Sequence, residues 1–200
     1  MIGTVNSFFI GIISTVIATA LGTLAALGLS RPHMPFKGLI MAILISPMIV
    51  PLIITAAGMF FFYARINLVY TFTGVILAHV ALATPFVVIT VTATLVGFDM
   101  NMVKASQSLG ARPVKTFFRV IMPLILPGII SGALFAFITS FDEVVIVMFM
   151  ASLDQLTIPK QMWAGIRQEI SPVILCMATC LVALSIFLLT TVELLRRRSE

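Results

Sequence analysis

KASQSLGARPVKTFFRVIMP, residues 104–123, holds four of the chain's twelve Lys and Arg residues in a sequence that is 60% hydrophobic. A polar stretch of this kind usually belongs to the surface of a soluble domain, but the remaining sequence cannot supply such a surface. Soluble domains carry about a quarter of their residues charged, whereas here the figure is 10% and the mean hydropathy is +1.20. The flanking apolar runs are roughly 23–27 residues long, enough to cross a hydrocarbon core of about 30 Å as helix. The expected fold class is therefore an all-α integral membrane protein, with residues 104–123 as a basic segment between spans.

Five spans can be drawn within a single domain of residues 1–197: about 7–29, 37–63, 71–97, 124–150 and 172–195. Pro47 and Pro51 interrupt the second and Pro85 lies inside the third. Each proline frees a backbone carbonyl that a neighbouring helix must shield, so a packed bundle of bent helices is expected. No basic n-region or small-residue cleavage site opens the chain. Cys176 and Cys180, four apart in one apolar run, are expected to be buried small residues, since adjacent turns of one helix do not form a disulfide.

The net charge of +5 is a matter of topology before it is a matter of ligands. Arg31, Lys37, Lys104, Arg112, Lys115, Arg119, Arg196, Arg197 and Arg198 fall on one side of the spans; Arg65, Lys160 and Arg167 fall on the other. Short loops with excess Lys and Arg stay in the cytoplasm. Residues 99–120 and the C-terminus are thus expected to be cytoplasmic and the N-terminus external. This asymmetry accounts for the charge without any nucleic acid.

Residues 100–109 are helix-compatible and stop at Gly110, a natural residue for the position just past a helix end. Pro113 suits the first turn of a second short helix through Val120, so the segment is expected to form helix, sharp turn, helix against the membrane surface. Val114, Phe117, Phe118 and Ile121 partly supply the apolar face of an interfacial helix. Ala105, Ser106, Gly110 and Ala111 supply the small residues of a docking element. Residue chemistry alone supports both.

The spacing in this segment resembles the cytoplasmic loop signature of binding-protein-dependent ATP-binding-cassette importer permeases: E-A-A, three residues, G, nine residues, I, one residue, L-P. Ala105 and Ser106 occupy the two Ala positions, Gly110 the Gly, Val120 the Ile and Met122-Pro123 the Leu-Pro. Lys104 stands where the signature has Glu, which reverses a charge. PMIVPLII, AHVALATPFVV, ITSFDEVVI and TIPKQMWAGIRQEISP are similar to the spermidine/putrescine type of this family, so the resemblance covers essentially the whole chain. It implies a six-helix fold lacking its first helix, opening at Asn6-Ser7 on the family's second helix. It also implies a coupling loop at 99–120 in which Lys104, Ala105, Ser106, Leu109, Gly110, Ala111 and Pro123 meet an ATPase subunit. The implied partners are that ATP-binding subunit in two copies, a second permease subunit, a periplasmic solute-binding protein and the lipid of a bacterial inner membrane.

No phosphate-cradling G-x-x-x-x-G-K-[ST] motif occurs in the chain, and no catalytic or zinc-binding set is visible. No cofactor and no enzymatic activity of its own are therefore expected. Asp142 and Glu143 are the only acids in the interior of an expected span, and acids at membrane depth are functional by default. Gly128, Gly132, Ala136 and Ser140 form a small-residue stripe for close helix packing. Thr139, Ser140 and Glu143 flank the stripe, with Asp142 on the other side of Thr139, so these four are the expected pathway residues. His79 is expected to bond to a neighbouring helix. Trp163 is expected as an interface anchor in a loop that the resemblance also places near the binding protein. The resemblance fits polyamines first, and opines, amino-acid derivatives or phosphonates next; an ATPase-independent channel or ion-coupled carrier is the reading from another class.

Topology gives the first test. In a background without Cys176 and Cys180, His33→Cys, Arg112→Cys and Arg197→Cys are expected to react with an impermeant maleimide only from the cytoplasmic side, and Lys160→Cys only from outside. Labelling of position 112 from outside would reverse the arrangement.

Overall fold

Ser7, Gly11, Ser14, Ala18, Gly22 and Ala26 recur every three or four residues along the first helix, and all six are buried. That spacing puts them on one face, where a second backbone can come close. The computed structural model describes residues 2–31, 34–99, 101–168 and 172–197; Met1, His33, Met100 and Arg198 lie outside them. The helices are α1 (Ile2–Leu29), α2 (Lys37–Ile49), α3 (Leu52–Arg65), α4 (Phe72–Val96), α5 (Asn101–Ser108) and α6 (Pro113–Thr116), then α7 (Met122–Phe141), α8 (Val145–Met150), α9 (Ile158–Gln168) and α10 (Pro172–Arg197).

The core is α4, which packs against both α1 and α7. Its buried residues, among them Gly74, Val75, Ala78, His79, Leu82, Val87 and Val91, point in every direction around the axis, as a helix enclosed by neighbours requires. Small residues set the closeness. A Cβ on Gly22 of α1 would lie 2.6 Å from Val87 Cβ, and one on Gly132 of α7 would lie 2.5 Å from Thr90 Oγ1 and 3.0 Å from Val87 Cα. One on Gly128 would overlap Thr94 Oγ1. Gly128, Gly132, Ala136 and Ser140 are all buried, which bears out the expected stripe. Pro85 sits inside α4 without ending it.

Among the described residues three helices have the length and apolarity to cross a membrane: Ile2–Leu29, Phe72–Val96 and Pro113–Phe141. The second expected span is α2 and α3, bent by 106° at their junction. Val50 is extended there, with ψ 134°, because the residue before a proline is driven out of the helical region. Pro51 therefore makes the break, while Pro47 is accommodated within α2. The fifth expected span falls on α10, whose apolar stretch is Leu175–Leu188.

The fourth expected span, 124–150, needs correction. The helix begins at Pro113 and ends at Phe141, so the second short helix is continuous with the span. Between α6 and α7 the winding widens to a π-helix over Phe117–Ile121, where the Met122 N–H reaches back to the Phe117 carbonyl. Pro123 explains the widening: it has no N–H for the Arg119 carbonyl, and its ring would crowd that carbonyl in a regular α-turn. Cys176 and Cys180 are also corrected. Both are free and exposed, because they border an open apolar cavity between α10 and the bundle, walled on the other side by Thr4, Phe8, Phe141 and Ile158.

Overpacking the α4–α7 seam is expected to cost about 1–3 kcal/mol. Gly132→Val should therefore lower the Tm of the detergent-solubilised protein. Gly28→Ala, where an added Cβ meets nothing within 4 Å, should leave it unchanged.

Candidate functional sites at the two ends of the seventh helix

At its basic end, α7 is joined through the π segment to a helical hairpin. α5 closes in a double-bonded C-terminal turn. The Ala111 N–H donates to the Ser106 carbonyl at 3.1 Å and the Gly110 N–H to the Gln107 carbonyl at 2.9 Å. This bond pair needs a left-handed residue, and Gly110 supplies it with φ 79°. Arg112 is then extended and Pro113 starts α6. Ser106 Oγ lies 3.1 Å from the buried Thr116 Oγ1, tying the two arms together.

The structure brings the expected coupling residues to this hairpin, with one exception. Lys104, Ala105 and Gly110 are exposed, Ser106 and Ala111 are half-buried, and Leu109 at the tip is 88% exposed. Pro123 stands apart at the start of α7, where it shapes the helix. The expected interfacial face divides: Val114 and Phe118 point outward, while Phe117 and Ile121 line a cleft with Leu27, Leu95 and Phe98.

At the other end of α7 the helix stops at Phe141, and Asp142 and Glu143 fall in the break before α8. The helical spacing that grouped Thr139, Ser140 and Glu143 does not extend past that break. Glu143 is buried, and its Oε1 accepts from the Ile146 N–H at 2.8 Å. It thereby satisfies one of the orphan donors that open α8. Lys160 serves the opposite end of α8, donating from Nζ to the Val147 and Ala151 carbonyls at 3.2 and 3.0 Å. Burial pushes the Lys160 ammonium below its usual range. Asp142 is exposed and Thr139 half-buried. Ser140 is buried and its Oγ lies 2.8 Å from His79 Nδ1 across the α4–α7 seam, bearing out the expected interhelical bond of His79.

Residues from three other segments complete this end. Asn6 Nδ2 donates to the Asp154 and Leu156 carbonyls at 2.7 and 3.0 Å. Ser7 Oγ accepts from the Ile158 N–H at 2.9 Å. The Tyr70 N–H donates to the Met150 carbonyl at 2.9 Å, and Ser152 and Gln155 close a capping box between them. The structural parts played by Asn6, Ser7, Gln155 and Lys160 were not legible beforehand. Their only signal is polarity at the edges of apolar runs. Trp163 is half-exposed on α9.

Comparison with known proteins agrees with this architecture. Residues 18–200 match the family described as binding-protein-dependent transport system inner membrane component. The chain is 29% identical to the spermidine/putrescine transport system permease protein PotC of Haemophilus influenzae, over 98% of this chain and 76% of that protein. The PotC of Escherichia coli K12 is 28% identical over 96% of this chain and 73% of that protein. The putrescine transport system permease protein PotI of the same strain is 31% identical over 81% of this chain and 60% of its own length. In fold, the chain is similar to a chain of the inward-facing MetNI methionine ABC transporter, with a TM-score of 0.75 at 17% identity over 99% of this chain and 94% of that one. A second likeness is to an amino acid ABC transporter, with a TM-score of 0.67 at 18% identity over 98% and 92%.

The role of Glu143 is testable at one amide. Glu143→Ala removes a helix-capping acceptor worth about 1 kcal/mol, so the Ile146 amide is expected to exchange hydrogen faster. Glu143→Gln keeps Oε1 as an acceptor and should stay close to the parent; equal exchange in all three proteins would refute the cap.

Proposed function

Because the chain belongs to the family of binding-protein-dependent transport system inner membrane components, we propose that it forms, as a single domain of residues 1–197, half of the pathway of an ATP-driven importer for polyamines such as spermidine and putrescine. It is a multi-pass transport subunit of a bacterial inner membrane, working with an ATPase, a second permease and a solute-binding protein. The finer reading has two ATPase copies on the cytoplasmic side, with residues 99–120 and the C-terminus facing them. The observation that carries the polyamine assignment is the match to PotC relatives over nearly the whole chain.

The two ends of α7 then take separate tasks. Lys104, Ala105, Ser106, Leu109, Gly110 and Ala111 form the contact that the ATPase moves, and the unbroken helix from Pro113 carries that movement into the bundle. Pro123 sets the wide turn along the way. At the outer end, Glu143 is committed to α8, so the pathway carboxylate is Asp142, with Thr139 and Ser140 beside it. A carboxylate at a low-dielectric mouth lowers the energy of a passing cation, which suits an organic polycation. Docking to an ATPase also separates this reading from an independent channel or ion-coupled carrier.

The test is ATP hydrolysis by the chain co-purified with its ATPase and binding protein in lipid nanodiscs. Spermidine or putrescine is expected to stimulate turnover, whereas an opine, a phosphonate or an uncharged amino-acid derivative is not. Asp142→Asn should raise the polyamine concentration needed by about tenfold, or about 1.4 kcal/mol, at unchanged protein level. Stimulation by an anionic solute alone would overturn the substrate class.

A further inference from the structure

Among the described residues three that are not glycine take a left-handed backbone: Phe36, Asn67 and Tyr70. Asn enters that region readily, whereas a bulky side chain does so only where its surroundings force it. Phe36 opens α2 in the loop at the basic end, its carbonyl accepting from the Ile40 N–H at 3.0 Å. Tyr70, with φ 62°, is held by a contact distant in the chain. Its N–H donates to the carbonyl of Met150 at 2.9 Å, the last residue of α8.

The turn around Tyr70 is knitted without its side chain. The Leu68 N–H donates to the Tyr63 carbonyl at 2.9 Å. Thr71 Oγ1 donates to the Leu68 carbonyl at 2.7 Å and accepts from the Gly74 N–H at 3.0 Å. The bond to Met150 uses the Tyr70 backbone alone. Glycine would meet these demands at no steric cost. The phenol ring is thus an addition that the turn does not need, and backbone strain of this kind collects at functional sites.

The ring also stands where a solute can reach it. Tyr70 is 58% exposed, at the same end of the bundle as the exposed Asp142. The two residues flank α8: Asp142 lies in the break before its first turn, and the Tyr70 amide meets its last residue. Six residues of helix run between them, about 9 Å. Tyrosines are common at membrane interfaces, but that role asks only for exposure and leaves the left-handed backbone unexplained.

We propose that the Tyr70 ring is a second contact for the cationic solute at this mouth, taking one amine of a polyamine against its face while another meets the Asp142 carboxylate. The face of an aromatic ring attracts a cation, and the phenol oxygen accepts from an ammonium N–H. Two contacts flanking one short helix select a solute with more than one cationic group. This inference rests on the polyamine reading above.

The experiment measures the spermidine concentration that half-stimulates ATP hydrolysis by the chain co-purified with its ATPase and binding protein in lipid nanodiscs, together with the Tm of each variant. Tyr70→Leu is expected to raise that concentration about three- to fivefold, the worth of an exposed cation–π contact. Tyr70→Phe keeps the ring and should stay within about 1.5-fold of the parent. Tyr70→Gly should lose as much as Tyr70→Leu while its Tm equals or exceeds that of the parent, because the strain is gone. An unchanged Tyr70→Leu in a responsive parent overturns the inference alone. A Tyr70→Gly variant that loses Tm and affinity together shows a structural ring and overturns it as well. A parent that responds to no polyamine overturns the substrate reading and this inference with it.

Discussion

Close approach of α4 to α1 and α7 is the constraint on which the rest of the structure depends. Gly22, Gly128 and Gly132 leave no room for a Cβ against Val87, Thr94 and Thr90. In hydrocarbon, helices gain nothing from leaving their solvent, so association rests on van der Waals contact and the occasional interhelical hydrogen bond. Small residues maximise the contact. His79 Nδ1 and Ser140 Oγ add a polar register mark within the same seam. With α4 enclosed, α2, α3 and α10 are left with broad exposed apolar surfaces, including Ile43, Ile54, Phe61, Leu175 and Phe187. Such faces suit lipid and neighbouring subunits.

Once that seam is set, the outer ends of the helices must close over it with irregular backbone. Backbone groups near hydrocarbon need partners from the protein itself. The segment after Phe141 finds them locally in Glu143 and, from further away, in Lys160. The 152–158 segment is held by Asn6 and Ser7 of the first helix. A six-residue helix such as α8 is too short to stand alone; two charged side chains at its ends and the Tyr70 bond to Met150 keep it in place.

The opposite end is organised by two residues with restricted or unusual backbones. Gly110 reverses the chain in a conformation that costs other residues about 1–2 kcal/mol. Pro123 widens the turn before the span. Between them the helix runs unbroken from the hairpin into the membrane, so the hairpin and α7 are one mechanical piece. The break at Phe141 marks where that piece ends, beside the exposed Asp142.

Much of this was determined by the sequence alone, wherever a property depends on near neighbours in the chain. Composition and run length set the membrane class, three- and four-residue spacing set the packing stripe on α7, and Gly110 and Pro113 set the hairpin turn and its restart. The same spacing in α1, from Ser7 to Ala26, is equally legible in the sequence. What only the tertiary structure decided lies where two local outcomes differ little in energy. Residues 141–146 are apolar enough to continue a helix and polar enough to cap a new one. Contacts from Lys160 and Tyr70, both distant in sequence from Glu143, favour the second outcome, burying Glu143 and leaving Asp142 outside. The exposure of Cys176 and Cys180 was likewise set by how loosely α10 docks, since an open cavity separates them from Phe8 and Phe141. Periodicity fixes which residues share a face, but a face acquires its inside and outside only from the helices packed against it.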